Sequence, residues 1–82
     1  MPWIELDSSL LQAAHYQDHL LLELEFCDGA IYQYLGVPEP IFQDLLLAES
    51  PGGYFNVHIR KRFAETKIRP ADPSRRPARV KV

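Results

Sequence analysis

Two runs of alternating apolar and polar residues dominate the first half of the chain. In residues 20–26, leucines and a phenylalanine alternate with two glutamates, and residues 30–35 alternate in the same way. Alternation with period two predicts strands that each bury one face. Asp28-Gly29 lies between the runs, and this dipeptide is a strong hairpin signal. We therefore predict an antiparallel hairpin, with strands at about 19–26 and 30–35.

The length of the hairpin loop decides which side chains share a face. A two-residue loop would place Tyr32 and Tyr34 on the side of the glutamates. A three-residue loop, with Gly29 left-handed in a bulge, instead pairs Leu24 with Tyr32 and Leu22 with Tyr34. A shift of one residue turns a whole strand over, and only the second register gathers the large apolar groups on one face. We expect the bulged loop, with both tyrosines facing the core.

Helical spacing follows the hairpin, and one more strand precedes it at residues 10–16. Apolar positions recur with helical period over residues 40–49, with proline in the first turn. Ser50-Pro51 is typical of an N-cap and the first residue of a second helix. Gly52-Gly53 weakens that helix, since a glycine in a helix interior costs about 1 kcal/mol relative to alanine. We expect a loose first turn there and a firm helix over residues 54–62.

The predicted fold is therefore an α+β domain over residues 1–64. It consists of a three-stranded antiparallel meander packed against two short C-terminal helices. Residues 65–82 contain three prolines interleaved with arginines and few large apolar side chains. Such a segment cannot bury enough surface to offset the entropy of ordering it, so it is predicted to be a flexible basic tail.

Charge is divided sharply along the chain. All nine lysines and arginines lie from position 60 onward, whereas nine of the eleven acids lie before it. This asymmetry is consistent with a tail that binds a polyanion, and equally with a tail that only keeps an acidic domain soluble. A single cysteine and the lack of a secretory signal or a long apolar run indicate a cytoplasmic protein with no membrane partner.

Several short motifs together resemble one known family, the KTSC domain. They are Ser8-Ser9 before a strand, Tyr16, Tyr32-Gln33-Tyr34, Val37-Pro38, residues 48–56 and Ile59-Arg60. The family occurs at the C-terminus of some lysyl-tRNA synthetases and as short stand-alone bacterial proteins. The resemblance, which spans residues 8–63, implies no catalytic activity and suggests RNA binding. Two positions depart from the pattern: Pro51 replaces a frequent basic residue, and Phe63 replaces an expected tyrosine.

If the domain binds RNA, the contacts are expected on the second helix and the tail. Gly53 at the helix start offers backbone N–H groups that could hold a phosphate, although such turns often only redirect the chain. The candidate nucleic-acid-binding residues are Gly53, Asn56, Arg60, Lys61, Arg62, Arg75, Arg76 and Arg79. No set of residues reads base edges, so weak sequence preference and steep salt dependence are expected.

Enzymatic chemistry is not predicted. No two of the three histidines, the cysteine and the carboxylates stand in a catalytic spacing, and no cofactor motif is present. His15 and His19 bracket a turn, but two histidines are weak evidence for a metal site. Cys27 at the hairpin turn is expected to be exposed but without a neighbouring base. The alternatives are a protein-interaction module that uses a sheet edge or the acidic face, and a folding unit with a solubilising tail.

Overall fold

A single antiparallel sheet, covered by helices on one face, forms the domain. The structure is a computed structural model and describes residues 3–18 and 20–74, within which there are five strands and two helices. They are β1 (Ile4–Glu5), β2 (Leu11–Gln17), β3 (Leu21–Phe26), β4 (Ile31–Leu35), α1 (Glu39–Leu47), α2 (Pro51–His58) and β5 (Ala64–Arg69). The strands lie side by side in chain order, so the chain passes through both helices before it returns to the sheet as β5.

The hairpin of β3 and β4 has the register predicted from the sequence. Leu24 pairs with Tyr32, and Leu22 pairs with Tyr34. The N–H of Phe26 donates to the carbonyl of Ala30 at 2.8 Å, and Gly29 has a φ of +94°, which glycine adopts without strain. The prediction of a three-residue bulged loop is confirmed.

The core lies between the sheet and the two helices. Its large, fully buried side chains are Leu11, Leu22, Leu24 and Tyr34 from the sheet, Val37 from the connection to α1, Phe42 and Leu45 from α1, and Ile59 after α2. The ring of Tyr16 stacks on Phe42 with 5.0 Å between centroids, and its hydroxyl donates to the carbonyl of Val37 at 2.6 Å. Tyrosine thus supplies both apolar area and a satisfied polar end where the sheet meets α1.

A polar network centred on Glu23 covers part of the other sheet face. The Glu23 carboxylate hydrogen-bonds His15 Nδ1 at 2.9 Å and accepts from the side-chain amides of Gln17 at 2.7 Å and Gln33 at 2.8 Å. The Trp3 ring stacks on His15 with 5.1 Å between centroids. Burial by itself raises the pKa of the Glu23 carboxyl, but the hydrogen bonds outweigh it, so the pKa lies below its ordinary value. The Glu23 carboxylate is therefore held in the ionised form.

The predicted count of three strands is wrong, because two edge strands join the meander. β1 is only two residues long, too short for alternation to reveal it. β5 is exposed at all six positions, so it has no apolar pattern. It forms because the outer edge of β4 offers unpaired N–H and C=O groups, which β5 satisfies. The predicted boundary at residue 64 is corrected accordingly: the ordered sheet runs on to Arg69.

Helix α2 also differs from the prediction at both ends. The helix is regular from Pro51, with the Ser50 side chain accepting from the Gly53 N–H at 3.2 Å, and it ends at His58. A Cβ at Gly52 would lie 3.2 Å from Ser8 Oγ and 3.3 Å from Leu10 Cβ. The expected loose turn is thus replaced by a first turn packed against the start of β2, where a glycine allows close approach.

Leu24→Ala is predicted to destabilise the fold by about 2–5 kcal/mol, because it removes a fully buried side chain and leaves a cavity. Leu47→Ala is the control, since Leu47 is 81% exposed and its truncation is expected to change stability by no more than about 0.5 kcal/mol. Urea unfolding followed by tyrosine fluorescence or circular dichroism measures both. Equal effects of the two substitutions would contradict the core assignment.

The lowered pKa of Glu23 predicts acid sensitivity. A carboxyl whose pKa is lower in the folded than in the unfolded state stabilises the fold above its ordinary pKa of 4.5, and this stability is lost as pH falls through the folded value. Glu23→Gln should therefore flatten the dependence of unfolding free energy on pH below about 5. Glu5→Gln, an exposed carboxylate on β1, is the charge-matched control and should leave the steeper dependence in place.

Candidate nucleic-acid interface

Basic side chains are gathered on one part of the described chain. Every lysine and arginine within residues 3–18 and 20–74 lies in the segment from the end of α2 to the end of β5, and all are exposed. We call this set the basic strip: Arg60, Lys61, Arg62, Lys67 and Arg69. The remaining described surface carries the acids that precede residue 60. Positive charge in the described chain is therefore concentrated between residues 60 and 69.

The first half of the strip lies in the turn after α2, not in the helix as predicted. Lys61 has a φ of +63°, and this left-handed residue turns the chain away from the helix axis. Arg60 Nη1 donates to Asn56 Oδ1 at 3.4 Å, and Arg62 Nε donates to the carbonyl of Val57 at 3.1 Å. The structure therefore brings four of the predicted contacts, Asn56 and Arg60 to Arg62, to the end of α2.

The second half of the strip lies on β5. Lys67 pairs with Tyr32 across the strands, and its Nζ lies 5.9 Å from the centroid of the Tyr32 ring, within cation–π range. Arg69 Nε donates to the carbonyl of Gly29 at 2.8 Å, and its Nη2 contacts Glu25 Oε2 at 3.0 Å. One end of the strip is thus anchored to the hairpin loop.

A cleft opens between α2 and β5, beside the basic strip. Its volume is about 240 Å³, and we call it the aromatic cleft. Its lining consists of Leu10, Phe26, Tyr32, Tyr34, Phe55, Asn56, Arg60 and Glu65. Phe26 meets Tyr32 edge to face at 5.7 Å, and Tyr34 meets Phe55 in the same way at 5.7 Å. The rings pack against one another, which fixes the floor of the cleft, while the polar groups lie at its rim.

Tyr34 and Glu65 form a polar pair in this cleft. They are opposite each other on β4 and β5, and both line the cleft. Burial raises the pKa of Tyr34 well above its ordinary value, and the nearby Glu65 carboxylate raises it further. Tyr34 therefore remains neutral, with its hydroxyl close to the Glu65 side chain at the cleft.

Gly53 does not lie in the aromatic cleft. It lines a separate polar cleft, of about 290 Å³, whose walls include Asp7 and Glu49. The Gly53 N–H is already bonded to Ser50, and the two acids repel an anion at this helix start. Asn56 lines both clefts. The structure thus separates Gly53 from Arg60 in different clefts, and it favours the Arg60 side for an anionic ligand.

Three other predicted groups have different outcomes. Cys27 is buried, contrary to the expectation of an exposed thiol, and its Sγ lies 3.6 Å from the carbonyl oxygen of Ser8. His15 is engaged by Glu23, whereas His19 lies outside the described residues. Within the described ranges, no group of three or more histidine, cysteine and acidic residues could hold a metal ion. Arg75, Arg76 and Arg79 also lie outside the described residues.

Sequence reasoning missed the contribution of β5 to the site. Glu65, Lys67 and Arg69 were assigned to the tail because of its composition. The available signal was weak: β-branched Thr66 and Ile68 favour a strand, but too few apolar residues surround them. The polar and cationic groups of the cleft are therefore visible only once the pairing with β4 is known.

Comparison with known proteins decides the family. The sequence model of the KTSC domain matches residues 7–63, more than half of the chain. This chain belongs to the KTSC domain family. The crystal structure of a KTSC domain protein from Yersinia pestis is 35% identical in sequence, with a TM-score of 0.79 over 82% of this chain and 96% of that one. The resemblance noted from the sequence is thus confirmed.

Relatives of this KTSC domain occur alone and within larger proteins. A protein of Tsukamurella paurometabola is 43% identical over 58 residues, which is 70% of this chain and 87% of that protein. A lysine–tRNA ligase of Nostoc punctiforme is 36% identical over 56 residues, 68% of this chain but only 10% of the ligase. The same module is therefore also part of a much longer enzyme. Neither helix in the described ranges of this chain could span a bilayer, since each is far shorter than the roughly 20 residues required.

Tyr34→Phe is predicted to destabilise the KTSC domain at neutral pH by about 0.5–1.5 kcal/mol, because the polar interaction of its hydroxyl with the Glu65 side chain is lost. The raised pKa adds a dependence on pH. In the native chain the Tyr34 hydroxyl contributes stability that is complete below the ordinary tyrosine pKa of 10.0, and this stability is lost as pH rises above that pKa. Unfolding free energies measured from pH 8 to 11 should therefore converge for the two proteins at the alkaline end.

Proposed function

We propose that this KTSC domain is a non-enzymatic module that binds single-stranded RNA through the basic strip. The observation that carries the proposal is the separation of charge along the chain: the described cations all lie between the end of α2 and the end of β5, whereas nine of the eleven acids precede them. A phosphate chain is attracted to that segment and repelled elsewhere, so the charge pattern orients it on the domain.

The hydrogen bonds within the strip are compatible with this role. Arg60 uses one guanidinium nitrogen on Asn56, and Arg62 uses Nε on a backbone carbonyl. An arginine carries five N–H donors, so each retains others for phosphate oxygens while its side chain is held in place. Arg69 has both its contacts on the hairpin and is expected to contribute mainly long-range attraction.

The lysine–tRNA ligases of two Nostoc strains support an RNA ligand. A lysine–tRNA ligase acts on tRNA, and both of these ligases contain a segment similar to this domain. A module that adds phosphate contacts would help such an enzyme retain its RNA. For this chain we propose the same class of ligand, with Arg75, Arg76 and Arg79 as further contacts to phosphate.

Most of the binding energy is expected to be independent of sequence. Contacts to phosphates position a nucleic acid but carry no sequence information. We therefore propose weak sequence preference overall and a steep dependence on salt, because each phosphate contact releases counterions.

A protein partner is the second candidate. The observation in its favour is that β5 is an edge strand whose six residues are all exposed, so a partner could add a strand to the sheet. The charged side chains of Glu65, Lys67 and Arg69 disfavour this pairing, because charges on an edge strand oppose association.

The proposal predicts that the full chain binds a fluorescent single-stranded RNA octamer at low salt, with affinity falling as salt rises. The triple variant Arg60→Gln, Lys61→Gln and Arg62→Gln should weaken binding and reduce the slope of log K against log salt by about 2, since each contact to a single strand contributes roughly 0.7. Fluorescence anisotropy at several salt concentrations measures both quantities.

A charge control separates local contacts from net charge. Glu5→Gln on β1 changes the charge by one unit away from the strip and should leave the salt slope unchanged. If the full chain does not bind at low salt, or if the triple variant binds with an unchanged slope, the proposed function is wrong.

A further inference from the structure

Glu65 is out of place in a surface that serves only to attract phosphate. It is the one acidic residue between Arg60 and Arg69, and its side chain lines the aromatic cleft. A carboxylate there weakens the attraction of every phosphate nearby. Its position suits a different task, since it lies beside aromatic rings and an arginine, at the rim of a cleft that the basic strip borders.

The carboxylate is held by the domain and still has acceptor capacity. Glu65 lies opposite Tyr34 in the β4–β5 ladder, and both residues line the cleft, so the strand pairing places the carboxylate beside the Tyr34 hydroxyl. A carboxylate offers two oxygens and about four lone-pair sites, so this neighbour leaves most of them available to a ligand. Glu65 can therefore accept two hydrogen bonds from a ligand in the cleft.

Two adjacent donors on one planar edge are characteristic of one RNA base. Guanine presents N1–H and the N2 amino group side by side on its Watson–Crick edge. Adenine, uracil and cytosine each place an acceptor at one or more of the corresponding positions, where it would face the carboxylate. Unstacked bases in single strands are read on this edge while their rings stack on aromatic side chains.

The other side chains of the cleft match the rest of the guanine ring. Arg60 lines the same cleft, and arginine donates in a bidentate manner to guanine O6 and N7. Tyr32 is partly buried and lines the cleft, and the exposed Lys67 has its Nζ 5.9 Å from the centroid of the Tyr32 ring. When a base stacks on this ring, Lys67 can move to the adjoining phosphate.

The size of the cleft restricts the ligand. Its volume of about 240 Å³ is below the roughly 300–1,000 Å³ typical of sites for drug-sized molecules. Its open rim, formed by Asn56, Arg60 and Glu65, leaves room for a sugar and phosphate outside. The dimensions fit one base extruded from a strand, with the backbone running along the basic strip.

We propose that the aromatic cleft binds a single guanine base of the bound RNA, with Glu65 accepting from N1–H and N2–H, Arg60 donating to O6 and N7, and Tyr32 stacking on the ring. This inference rests on the proposed function and refines it. The cleft would recognise one base of the RNA, whereas the basic strip attracts the phosphates without regard to sequence.

The test compares labelled RNA octamers that differ at one position. Octauridylate is compared with the same strand carrying guanosine, inosine or adenosine at the fourth position, by anisotropy with the full chain at fixed salt. A bidentate contact predicts about tenfold tighter binding of the guanosine strand than of the uridine or adenosine strands. Inosine lacks the N2 amino group and should fall between them.

Glu65→Gln should reduce the guanosine preference to less than about twofold, because the amide presents a donor in place of one acceptor. Glu5→Gln on the opposite edge strand is the matched control and should retain the full preference. Tyr32→Leu should weaken binding of the guanosine strand more than that of the uridine strand, because it removes the stacking surface.

The outcomes separate this inference from the proposed function. Equal binding of all four octamers, with the expected salt dependence, would overturn the guanine site and leave the electrostatic proposal standing. A guanosine preference that survives Glu65→Gln would overturn the role of Glu65. If none of the strands binds at low salt, both proposals are wrong.

Discussion

The register of the β3–β4 hairpin is the constraint on which the rest of the domain depends. Gly29 in the left-handed conformation inserts the bulge that pairs Leu22 with Tyr34 and Leu24 with Tyr32. A register shifted by one residue would carry the tyrosines to the face of Glu23 and would leave α1 and α2 without a surface to cover. The core, the Glu23 network and the aromatic cleft all follow from this one loop conformation.

The sequence was sufficient to predict those elements in which burial of one face imposes a regular spacing of apolar residues. The meander, the two helices and the inward orientation of both tyrosines follow from apolar spacing, and the described structure agrees with them. It was insufficient for β1 and β5, because a short or fully exposed edge strand buries nothing and has no apolar pattern. Their formation depends on unpaired backbone groups of a neighbouring strand, and the local sequence does not reveal that neighbour.

The same distinction explains the outcome at the site. Asn56 and Arg60 were predicted because they lie on the helix that the sequence predicts, and they do line one cleft. Gly53 was selected for its backbone N–H groups, but its N–H is bonded to the predicted N-cap Ser50. The approach of Asp7 to this helix start depends on the three-dimensional arrangement, which spacing could not show. Glu65 entered the site only through its pairing with Tyr34, a contact between residues far apart in the chain.

The attachment of β5 to the sheet also determines where the chain can be truncated without exposing a strand edge. Besides its backbone hydrogen bonds to β4, β5 is held at its C-terminal end by two hydrogen bonds to the hairpin loop. Arg69 Nε donates to the Gly29 carbonyl, and the Asp72 N–H donates to the carbonyl of Asp28 at 2.8 Å. A truncated chain ending near residue 64 would lack β5 and would expose the backbone N–H and C=O groups of β4 that β5 pairs with. Such a fragment would offer other molecules a ready template for intermolecular strand addition, and self-association rather than a cleanly shortened monomer is the expected product.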